Sequence, residues 1–397
     1  MDEMHEEEFA QDKDEFDGED EDGAEEEDFL YESPYEWHFN HLYDDEFEAI
    51  KRAGRLRKRV IYPPHLIDLA SNDYLRLAHD RKLFNAAILR LAGSPSYAPK
   101  ASQLVNGYHE IHRDFERFLA RKNGFGAAIV IGSGFLGNLA LFEALPRRGD
   151  LLLIDSEYHA SGILAAKTTQ GEVRFFEHNN ADDLRRQLKT HANRTFVAVE
   201  GIYSMSGDMV AQDVLIEAKE AGAVIIIDEA HSCGVIGHSL DGVFDYYSLD
   251  TVNVVKLGTL GKAYGSYGAY ILANRSIIEF LVNRAKPIIY STAPSLFDIA
   301  YAHEAAQHVH TFSFRFRKQV EKAIAIAAKH GYQTESLILP IEFESNRKVM
   351  SAQKRLMKEG FLVGAIRPPT VNKPQLRVIL RETPPKLERF FKTLKNL

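Results

Sequence analysis

A single lysine inside a glycine-rich stretch is the first residue in this sequence that could do chemistry. Lys262 lies in GTLGKAYGSYGAY (258–270), directly after TVNVVKL (251–257), which reads as a strand. Glycine carries an entropic cost, so a cluster of glycines indicates that the backbone bends sharply or approaches another group closely. That group could be a phosphate, another strand, or a flat cofactor attached to the lysine. Lys262 is therefore a candidate for covalent chemistry through its amine.

Other candidate residues come at or just after the ends of further predicted strands; they are His159, Glu200, Ser204, Asp228 and His231. Gly134 and Phe135 open a predicted helix, where backbone amides can bind a phosphate. Pyridoxal 5'-phosphate (PLP) requires a phosphate site, a lysine for the Schiff base and a carboxylate that keeps the pyridine nitrogen protonated. Each residue alone has a plainer explanation as a surface, core or capping residue, and only their combination predicts a PLP site.

The elements that must position these residues alternate between strand and helix from residue 127 onward. Seven apolar runs predict strands; they are AAIVI (127–131), DLLLID (150–155), VRFFEH (173–178), FVAVEG (196–201), AVIIIDEA (223–230), TVNVVKL (251–257) and GAYILA (268–273). This alternation predicts an α/β fold with a mostly parallel sheet, and continuous apolar strands indicate that helices cover both faces. Active sites in such sheets lie at the carboxyl ends of the strands, where the candidate residues fall.

Two other motifs suggest different functions. GSGFLG (132–137) follows a strand and precedes a helix, and Asp155 ends the next strand, so an NAD-dependent dehydrogenase is a remote alternative. IIIDEAH (225–231) looks like a helicase motif, but that function needs an earlier phosphate loop of the form G-x-x-x-x-G-K-[ST], which the sequence lacks. No basic and aromatic stripe argues for nucleic acid. The residues predict no metal site.

Charge and cysteine content limit the setting of the 397-residue chain. Residues 1–28 hold 17 Asp or Glu and one Lys, a net charge of −16, so residues 29–397 carry about +7 against a total of −9. We expect this acidic segment to be a disordered, solubilising tail, and a docking tail for a basic partner is the less favoured alternative. The single cysteine, the lack of an apolar signal core and the lack of a ~20-residue apolar run predict a cytoplasmic protein without a membrane span.

Taken together, the motifs resemble those of the α-oxoamine synthases, in the same order and over roughly residues 50–397. They are SNDYLRLA (71–78), GSGFLGNLA (132–140), HASG (159–162), EGIYSMSGD (200–208), DEAHSCGVIG (228–237), GTLGKAYGSYGAY (258–270) and YSTAPS (290–295). The resemblance implies the type I aspartate-aminotransferase fold, with a large PLP-binding domain and a smaller α/β C-terminal domain. It also implies a homodimeric PLP-dependent acyltransferase that condenses an amino acid with an acyl thioester.

Carried over position by position, the resemblance implies a role for each candidate residue. The catalytic set would be Lys262 as Schiff-base lysine and Cα acid/base, Asp228 at the pyridine nitrogen, and His159 stacked on the ring. Further cofactor contacts would be Gly134, Phe135, Ser204, His231 and Thr259, with Ser291 and Thr292 from the partner subunit. Arg377 would bind the amino-acid carboxylate, and the other substrate contacts would be Arg57, Asn72, Glu200 and Thr370.

One motif narrows the expected substrates. AIRPPTV (365–371) resembles most the family member that joins L-alanine to a pimeloyl thioester, carried by CoA or by an acyl carrier protein. Members that join glycine to an acetyl or succinyl thioester differ at this position and are the alternative. APKASQ (98–103) departs from the family, because Lys100 replaces a glycine and Gln103 an arginine of a Gly-rich turn. This departure leaves the acyl donor and its carrier open.

The predicted domain organisation has four parts. They are an acidic tail at 1–28, an N-terminal helical and strand segment at 29–70, a PLP-binding large domain at 71–285, and a long helix with a small domain at 286–397. The cationic residues at 51–59 fall in the second part, where they could meet the anionic groups of either thioester carrier.

Overall fold

The computed structural model describes residues 42–53 and 55–396. The predicted acidic tail and the first residues of the predicted N-terminal segment lie outside this range. Residues 42–53 and 55–62 belong to a unit of their own, in which Asp44–Arg52 forms helix α1. The first turn of α1 is acidic and its last turn is basic, the charge order that a helix dipole favours.

The second unit begins at Pro63 and contains the other described elements. Its strands are β1 (Ile67–Asp68), β2 (Ala127–Ile131), β3 (Leu151–Asp155), β4 (Glu172–Phe176), β5 (Thr195–Glu200), β6 (Val224–Asp228), β7 (Val254–Thr259), β8 (Ala269–Ala273), β9 (Ile338–Glu342), β10 (Phe361–Leu362), β11 (Gly364–Ile366) and β12 (Gln375–Ile379). Its helices are α2 (Arg81–Ala92), α3 (Glu110–Asn123), α4 (Gly134–Ala144), α5 (Ala160–Ala166), α6 (Ala181–Leu188), α7 (Gln212–Glu220), α8 (Val243–Tyr246), α9 (Arg275–Arg284), α10 (Lys286–Ile289), α11 (Leu296–Thr311), α12 (Ser313–Lys329), α13 (Asn346–Lys358) and α14 (Pro384–Leu394).

The main sheet has seven strands in the order β2-β8-β7-β6-β5-β3-β4. β8 runs antiparallel to both of its neighbours, and every other neighbouring pair is parallel. The predicted fold class, with a mostly parallel seven-stranded sheet, is therefore confirmed. Each of the seven predicted strands contains an observed one or overlaps it, and β2 has the predicted bounds.

Both faces of the main sheet are covered, as the continuous apolar strands predict. In β3, Leu151 and Leu153 pack into one apolar cluster, while Leu152 and Ile154 pack into the cluster on the other face. All four side chains are almost completely buried. Burying a side chain of this size stabilises the fold by about 1.5–3 kcal/mol, so β3 is a strongly fixed support for the residue at its end.

The C-terminal part forms a smaller α/β layer. β11, β12 and β9 make an antiparallel three-stranded sheet. β10, which directly precedes β11 in sequence, pairs in parallel with β1. In the hairpin, Gly364 pairs with Arg377, which places that arginine in the central strand of the small sheet. The domain boundaries predicted at 70/71 and 285/286 stay predictions.

The long helix predicted from residue 286 is divided in the structure. α10 ends at Ile289, α11 begins only at Leu296, and α12 follows after Phe312. Pro294 lies in the first gap, and a proline disfavours helical backbone at the residue before it. Ser295 then caps α11 by accepting a hydrogen bond from the Asp298 amide. The break leaves room for the short turn that carries two predicted phosphate ligands.

Candidate active site

The carboxyl ends of four neighbouring strands define the candidate site. In the sheet order β7, β6, β5 and β3, these strands end at Thr259, Asp228, Glu200 and Asp155. Glu200 and Asp228 are paired directly across β5 and β6, and both side chains are buried. The expectation that the candidate residues meet at one edge of the sheet is thus met by the observed topology.

Lys262 follows β7 and points its amine at an imidazole. Its Nζ lies 2.7 Å from His231 Nε2. The nearby Gly265 has a φ of +62°, and a Cβ there would lie 2.4 Å from the backbone nitrogen of Ala78. Glycine is therefore needed at position 265 for two reasons: the backbone bends there, and another segment of backbone passes too close for a side chain.

The surroundings make Lys262 an unusual lysine. The pKa of its amine is lowered to about 8, chiefly by burial and to a smaller extent by Arg377, against the opposing effects of Asp228 and Glu200. A substantial fraction of the amine is therefore neutral near pH 8, which a nucleophile or a base requires. Burial and the neighbouring Lys262 also lower the pKa of His231 well below its ordinary value, so this imidazole is neutral.

Asp228 is held from two sides. Its Oδ1 accepts a hydrogen bond of 2.9 Å from the Ala230 amide, and its Oδ2 accepts one of 2.9 Å from Asn138 Nδ2. Asn138 also donates to Ser161 Oγ at 2.9 Å and accepts from Tyr158 Oη at 2.8 Å. Asn138 was not predicted as a site residue, although an amide among the apolar residues of the first turns of α4 indicates a specific polar contact.

His159 caps helix α5 next to this network. Its Nδ1 lies 2.7 Å from Ser161 Oγ and accepts a weaker hydrogen bond of 3.2 Å from the Ser161 amide. The residue is exposed, so its ring is accessible to a ligand. The ring is therefore tied to the residues that hold Asp228, as a group stacked over a bound cofactor would need to be.

The start of α4, where the phosphate site is predicted, lies beside the end of β7. A Cβ at Gly134 would lie 2.8 Å from Thr259 Cγ2, so the absence of a side chain keeps this helix end open beside β7. Ser133 caps the helix by accepting a hydrogen bond from the Leu136 amide at 3.2 Å. Phe135 is 48% exposed beside this cradle. The first turn of α4 can therefore offer backbone amides to an anion.

Glu200 shows that the site has unmet hydrogen-bonding capacity. Its Oε1 is buried without a hydrogen-bond partner in the described protein. Burial raises the pKa of this carboxyl well above its ordinary value, the neighbouring Asp228 raises it further, and Lys262 opposes the change. Such an orphaned polar atom at the edge of a candidate site indicates that a ligand completes the arrangement.

Arg377 reaches the same site from the small sheet. Its Nε donates to the Ser204 carbonyl oxygen at 2.7 Å, and its Nη1 donates to Asn72 Oδ1 at 3.0 Å. Arg377, Asn72 and Ser204, which the sequence analysis placed in one site, are thus brought into contact. Tyr74 was missed, although its hydroxyl lies 2.5 Å from His231 Nδ1.

Three of the predicted contacts make no hydrogen bond to this cluster among the described residues, and a fourth belongs to the other unit. Ser291 and Thr292 lie in the turn before α11, where Thr292 forms a β-bridge with Ser102. Thr370 is exposed in the turn between β11 and β12. Arg57 belongs to the separate N-terminal unit and is exposed. Their roles stay predictions.

The dehydrogenase alternative fails at Asp155. Its Oδ1 lies 2.9 Å from His178 Nδ1 and its Oδ2 accepts from the Asn179 amide at 3.0 Å. The carboxylate is completely buried and so cannot meet a ribose hydroxyl. His178 also lies 2.9 Å from Asp208 Oδ2, so Asp155 belongs to a structural ion network. GSGFLG forms a turn from strand β2 to helix α4, as in dinucleotide-binding sites, but Asp155 is not available as the acidic residue that binds the ribose.

This network predicts a pH-dependent stability. Burial alone would lower the pKa of His178, but hydrogen bonds to Asp155 and Asp208 outweigh it and raise that pKa to about 10. Since this value lies above the ordinary 6.5, the stabilisation is complete below pH 6.5 and is lost as the pH rises towards 10. We expect His178→Gln to lower the free energy of unfolding by roughly 4 kcal/mol at most near pH 6, and by progressively less towards pH 10. Denaturant titrations at pH 6, 8 and 10 measure this, and a constant difference contradicts the assignment.

Metal-ligating side chains are not clustered in the described ranges 42–53 and 55–396. No group of three or more His, Cys, Asp and Glu side chains in these ranges is arranged to hold a metal ion. None of the helices in the same ranges combines the length and apolar character that crossing a membrane requires.

Comparison with known proteins identifies the family. Residues 64–394 match the family described as aminotransferase class I and II. Two solved structures superpose on most of the chain. Serine palmitoyltransferase from S. paucimobilis with bound PLP has a TM-score of 0.80 and 23% identity, covering 90% of this chain and 96% of that one. The 8-amino-7-oxononanoate synthase of Francisella tularensis has a TM-score of 0.71 and 24% identity, covering 84% and 98%. At such identities, these likenesses establish the fold alone.

Sequence relatives are closer. The 8-amino-7-oxononanoate synthase of Helicobacter pylori is 43% identical over 344 residues, which cover 85% of this chain and 92% of the relative. That of Geobacter sulfurreducens is 34% identical over 333 residues, covering 80% and 84%. The chain therefore belongs to the class I and II aminotransferase family. Within that family it is an α-oxoamine synthase, and it is similar to enzymes of the 8-amino-7-oxononanoate synthase type, as the resemblance predicted.

Proposed function

We propose that this chain is a PLP-dependent enzyme that condenses L-alanine with a pimeloyl thioester to give 8-amino-7-oxononanoate, a step of biotin biosynthesis. The observation that carries the proposal is the convergence of Lys262, Asp228 and Arg377 on one sheet edge, in a chain 43% identical to an 8-amino-7-oxononanoate synthase. The amine, the carboxylate and the guanidinium are the three groups that such a condensation needs. A cytoplasmic location stays a prediction from the sequence.

The residues of the site fit PLP. Lys262 would bond to it, Asp228 would pair with its ring nitrogen, and His159 would lie on its ring. Gly134 with the first turn of α4 would hold its phosphate, and Ser204 and His231 would lie at the ring hydroxyl. When bound, PLP supplies an electron sink that stabilises negative charge at the Cα of the amino acid.

The side chains of the chain supply binding and proton transfer. Arg377 binds the alanine carboxylate, and a planar guanidinium suits this carboxylate better than an ammonium group would. Lys262 removes the Cα proton with its neutral amine and later returns a proton to the same carbon. Between these steps, a C–C bond forms from Cα to the thioester carbonyl carbon, the C–S bond breaks and the thiol leaves. The alanine carboxylate then leaves as CO₂.

A second copy of the chain would complete the site. Several large apolar side chains are exposed in the single chain; Phe135 is 48% exposed, Tyr267 61% and Tyr290 79%. An exposed apolar surface of this kind is typical of a subunit interface. Ser291 and Thr292 follow Tyr290, so docking a second copy there would bring them towards a phosphate site. We therefore propose a homodimer, which light scattering coupled to gel filtration would test.

The carboxylate-binding role of Arg377 gives a directional prediction. Arg377→Lys keeps the charge but cannot hold the Ser204 carbonyl, the Asn72 amide oxygen and a carboxylate together. We expect the KM for L-alanine to rise about 10- to 100-fold, since a charge-assisted hydrogen bond contributes about 1.5–3 kcal/mol. The KM for the thioester should change little. A change of equal size in both KM values contradicts this role.

Mass spectrometry of the product tests the proposal directly. The protein is incubated with PLP, L-alanine and pimeloyl-CoA, and in parallel with a pimeloyl acyl carrier protein. The mass of 8-amino-7-oxononanoate supports the proposal, and the more productive donor identifies the carrier. Product only from glycine with acetyl-CoA would instead support the alternative, 2-amino-3-ketobutyrate CoA ligase. No product with any pair, while PLP is bound, would overturn both reactions.

A further inference from the structure

A line of polar contacts connects the two ends of the candidate site. Lys262 Nζ lies 2.7 Å from His231 Nε2, and His231 Nδ1 lies 2.5 Å from the Tyr74 hydroxyl. The Tyr74 hydroxyl lies 3.4 Å from Asn72 Oδ1, which accepts a 3.0 Å hydrogen bond from Arg377 Nη1. The lysine and the carboxylate-binding arginine are thus linked through a neutral imidazole and a phenol. Tyr74 is the one member of this line that the proposed function leaves without a task.

The direction of these hydrogen bonds follows from what each group can give. Arg377 has only donors, so it occupies an acceptor site on Asn72 Oδ1. The single Tyr74 proton then has two acceptors within reach, Asn72 Oδ1 and His231 Nδ1. An O–H donor prefers a distance of 2.5–3.0 Å, so the contact at 2.5 Å takes the proton and the one at 3.4 Å does not.

The protonation states agree with this assignment. Burial raises the pKa of Tyr74 to about 12, so the phenol keeps its proton at any physiological pH and remains a donor. His231 is buried and neutral, and therefore carries one ring proton. If Nδ1 accepts from Tyr74, that proton is on Nε2. The charged and titratable groups that act on His231 and Tyr74 are Lys262, Arg377, His159 and Glu200.

We propose that Tyr74 is a positioning residue that fixes the tautomer of His231, so that the imidazole presents its Nε2 proton to Lys262 and to the ring hydroxyl of PLP. The inference rests on the proposed function for the cofactor, but the tautomer itself is a property of this chain. An N–H directed at Lys262 pairs with the lone pair of its neutral amine. An N–H directed at the ring hydroxyl stabilises the negative form of that oxygen. Without the Tyr74 hydroxyl, the proton can move to Nδ1 and both interactions weaken.

The test is a pH titration of the visible absorption of the PLP-loaded protein. Tyr74→Phe removes only the hydroxyl and keeps the buried ring. Loss of a donor to the ring oxygen raises the proton affinity of the nitrogen that joins Lys262 to the cofactor. We expect the midpoint of the spectral change to rise by about one pH unit, a tenfold change in proton affinity. His231→Gln removes the imidazole through which Tyr74 acts. Adding Tyr74→Phe to this variant should therefore not shift the midpoint further.

Tyr301→Phe is the matched control. The Tyr301 hydroxyl donates to the Leu77 carbonyl oxygen at 2.5 Å, so this variant loosens the segment that carries Tyr74 without touching His231. Its midpoint should stay at the wild-type value. An unchanged midpoint in Tyr74→Phe, or an equal shift in Tyr301→Phe, overturns the proposal. A wild-type protein that binds no PLP would instead count against the proposed function.

A measurement on the wild-type protein tests the tautomer of His231 even if the Tyr74→Phe variant does not fold. In full-length protein labelled with ¹⁵N-histidine and free of cofactor, the His231 signal is identified by its loss in His231→Gln. Above pH 9, where the Lys262 amine is mostly neutral, we expect Nε2 to show the chemical shift of a protonated ring nitrogen and Nδ1 that of an unprotonated one. A proton on Nδ1 at that pH overturns the proposal whether or not the protein binds PLP.

Discussion

Replacing Lys262 with alanine is expected to reduce turnover by about 10³-fold or more, and to remove the visible absorption of PLP bonded to the protein. The amine has two tasks in the proposed reaction, bonding to the cofactor and moving the Cα proton, and positioned acid–base catalysis alone contributes roughly 10²- to 10⁴-fold. The site shows why this lysine is suited to both, because its amine is partly neutral near pH 8 and faces a neutral imidazole.

Lys262→Arg is the matched control for charge. It keeps a cation at the position, but a guanidinium remains protonated at any accessible pH and cannot act as a base or bond to the cofactor. We expect it to be as inactive as the alanine variant. Comparable thermal melting of both variants and the wild type would show that the loss is chemical. Turnover within tenfold of wild type in either variant would rule out Lys262 as the reacting amine.

The sequence predicted the parts of this molecule that depend on local pattern. The seven apolar runs mark the seven strands of the main sheet, and central strands such as β3 and β6 are the easiest to predict because both of their faces are buried. The edge strand β4 is only partly buried and includes Glu172 and Arg174. Topology then brings Lys262, Asp228 and Glu200 together without further information, since parallel strands end at a common edge. Asp228 could be assigned because it ends a strand next to the one that leads to the lysine.

Residues that act through distant partners were not predictable in this way. Asn138 meets Asp228 across 90 residues of chain, and Tyr74 meets His231 across 157. Neither has a spacing that indicates its partner, because such contacts depend on how helix α4 and the segment before α2 pack against the strand ends. Asp155 illustrates the opposite error, in which the sequence suggests a ligand-binding role that the structure does not support. Its position in the sequence suits a ribose ligand, and only its contact with His178 reveals that the carboxylate faces inward.

Two strand-end aspartates that look alike in sequence should therefore respond differently to the same change. Asp228→Asn is expected to lower kcat by about 10²- to 10³-fold while PLP stays bound through Lys262. A neutral amide cannot hold the pyridine nitrogen in its protonated form, and the electron sink then weakens. The new amide oxygen can still accept from the Ala230 amide, but its amino group cannot accept from Asn138 Nδ2, so we expect a modest loss of thermal stability.

Asp155→Asn is the matched control, because it makes the same substitution at the end of β3. Its carboxylate is buried against His178 and the Asn179 amide, and removing one partner of a buried ion pair costs roughly 3–5 kcal/mol. We expect this variant to melt at a lower temperature and to keep kcat within a few-fold of wild type where it is folded. Melting curves and steady-state kinetics on both variants measure the contrast. If Asp155→Asn reduced cofactor binding and Asp228→Asn did not, the dehydrogenase alternative would return and the PLP assignment of this sheet edge would be wrong.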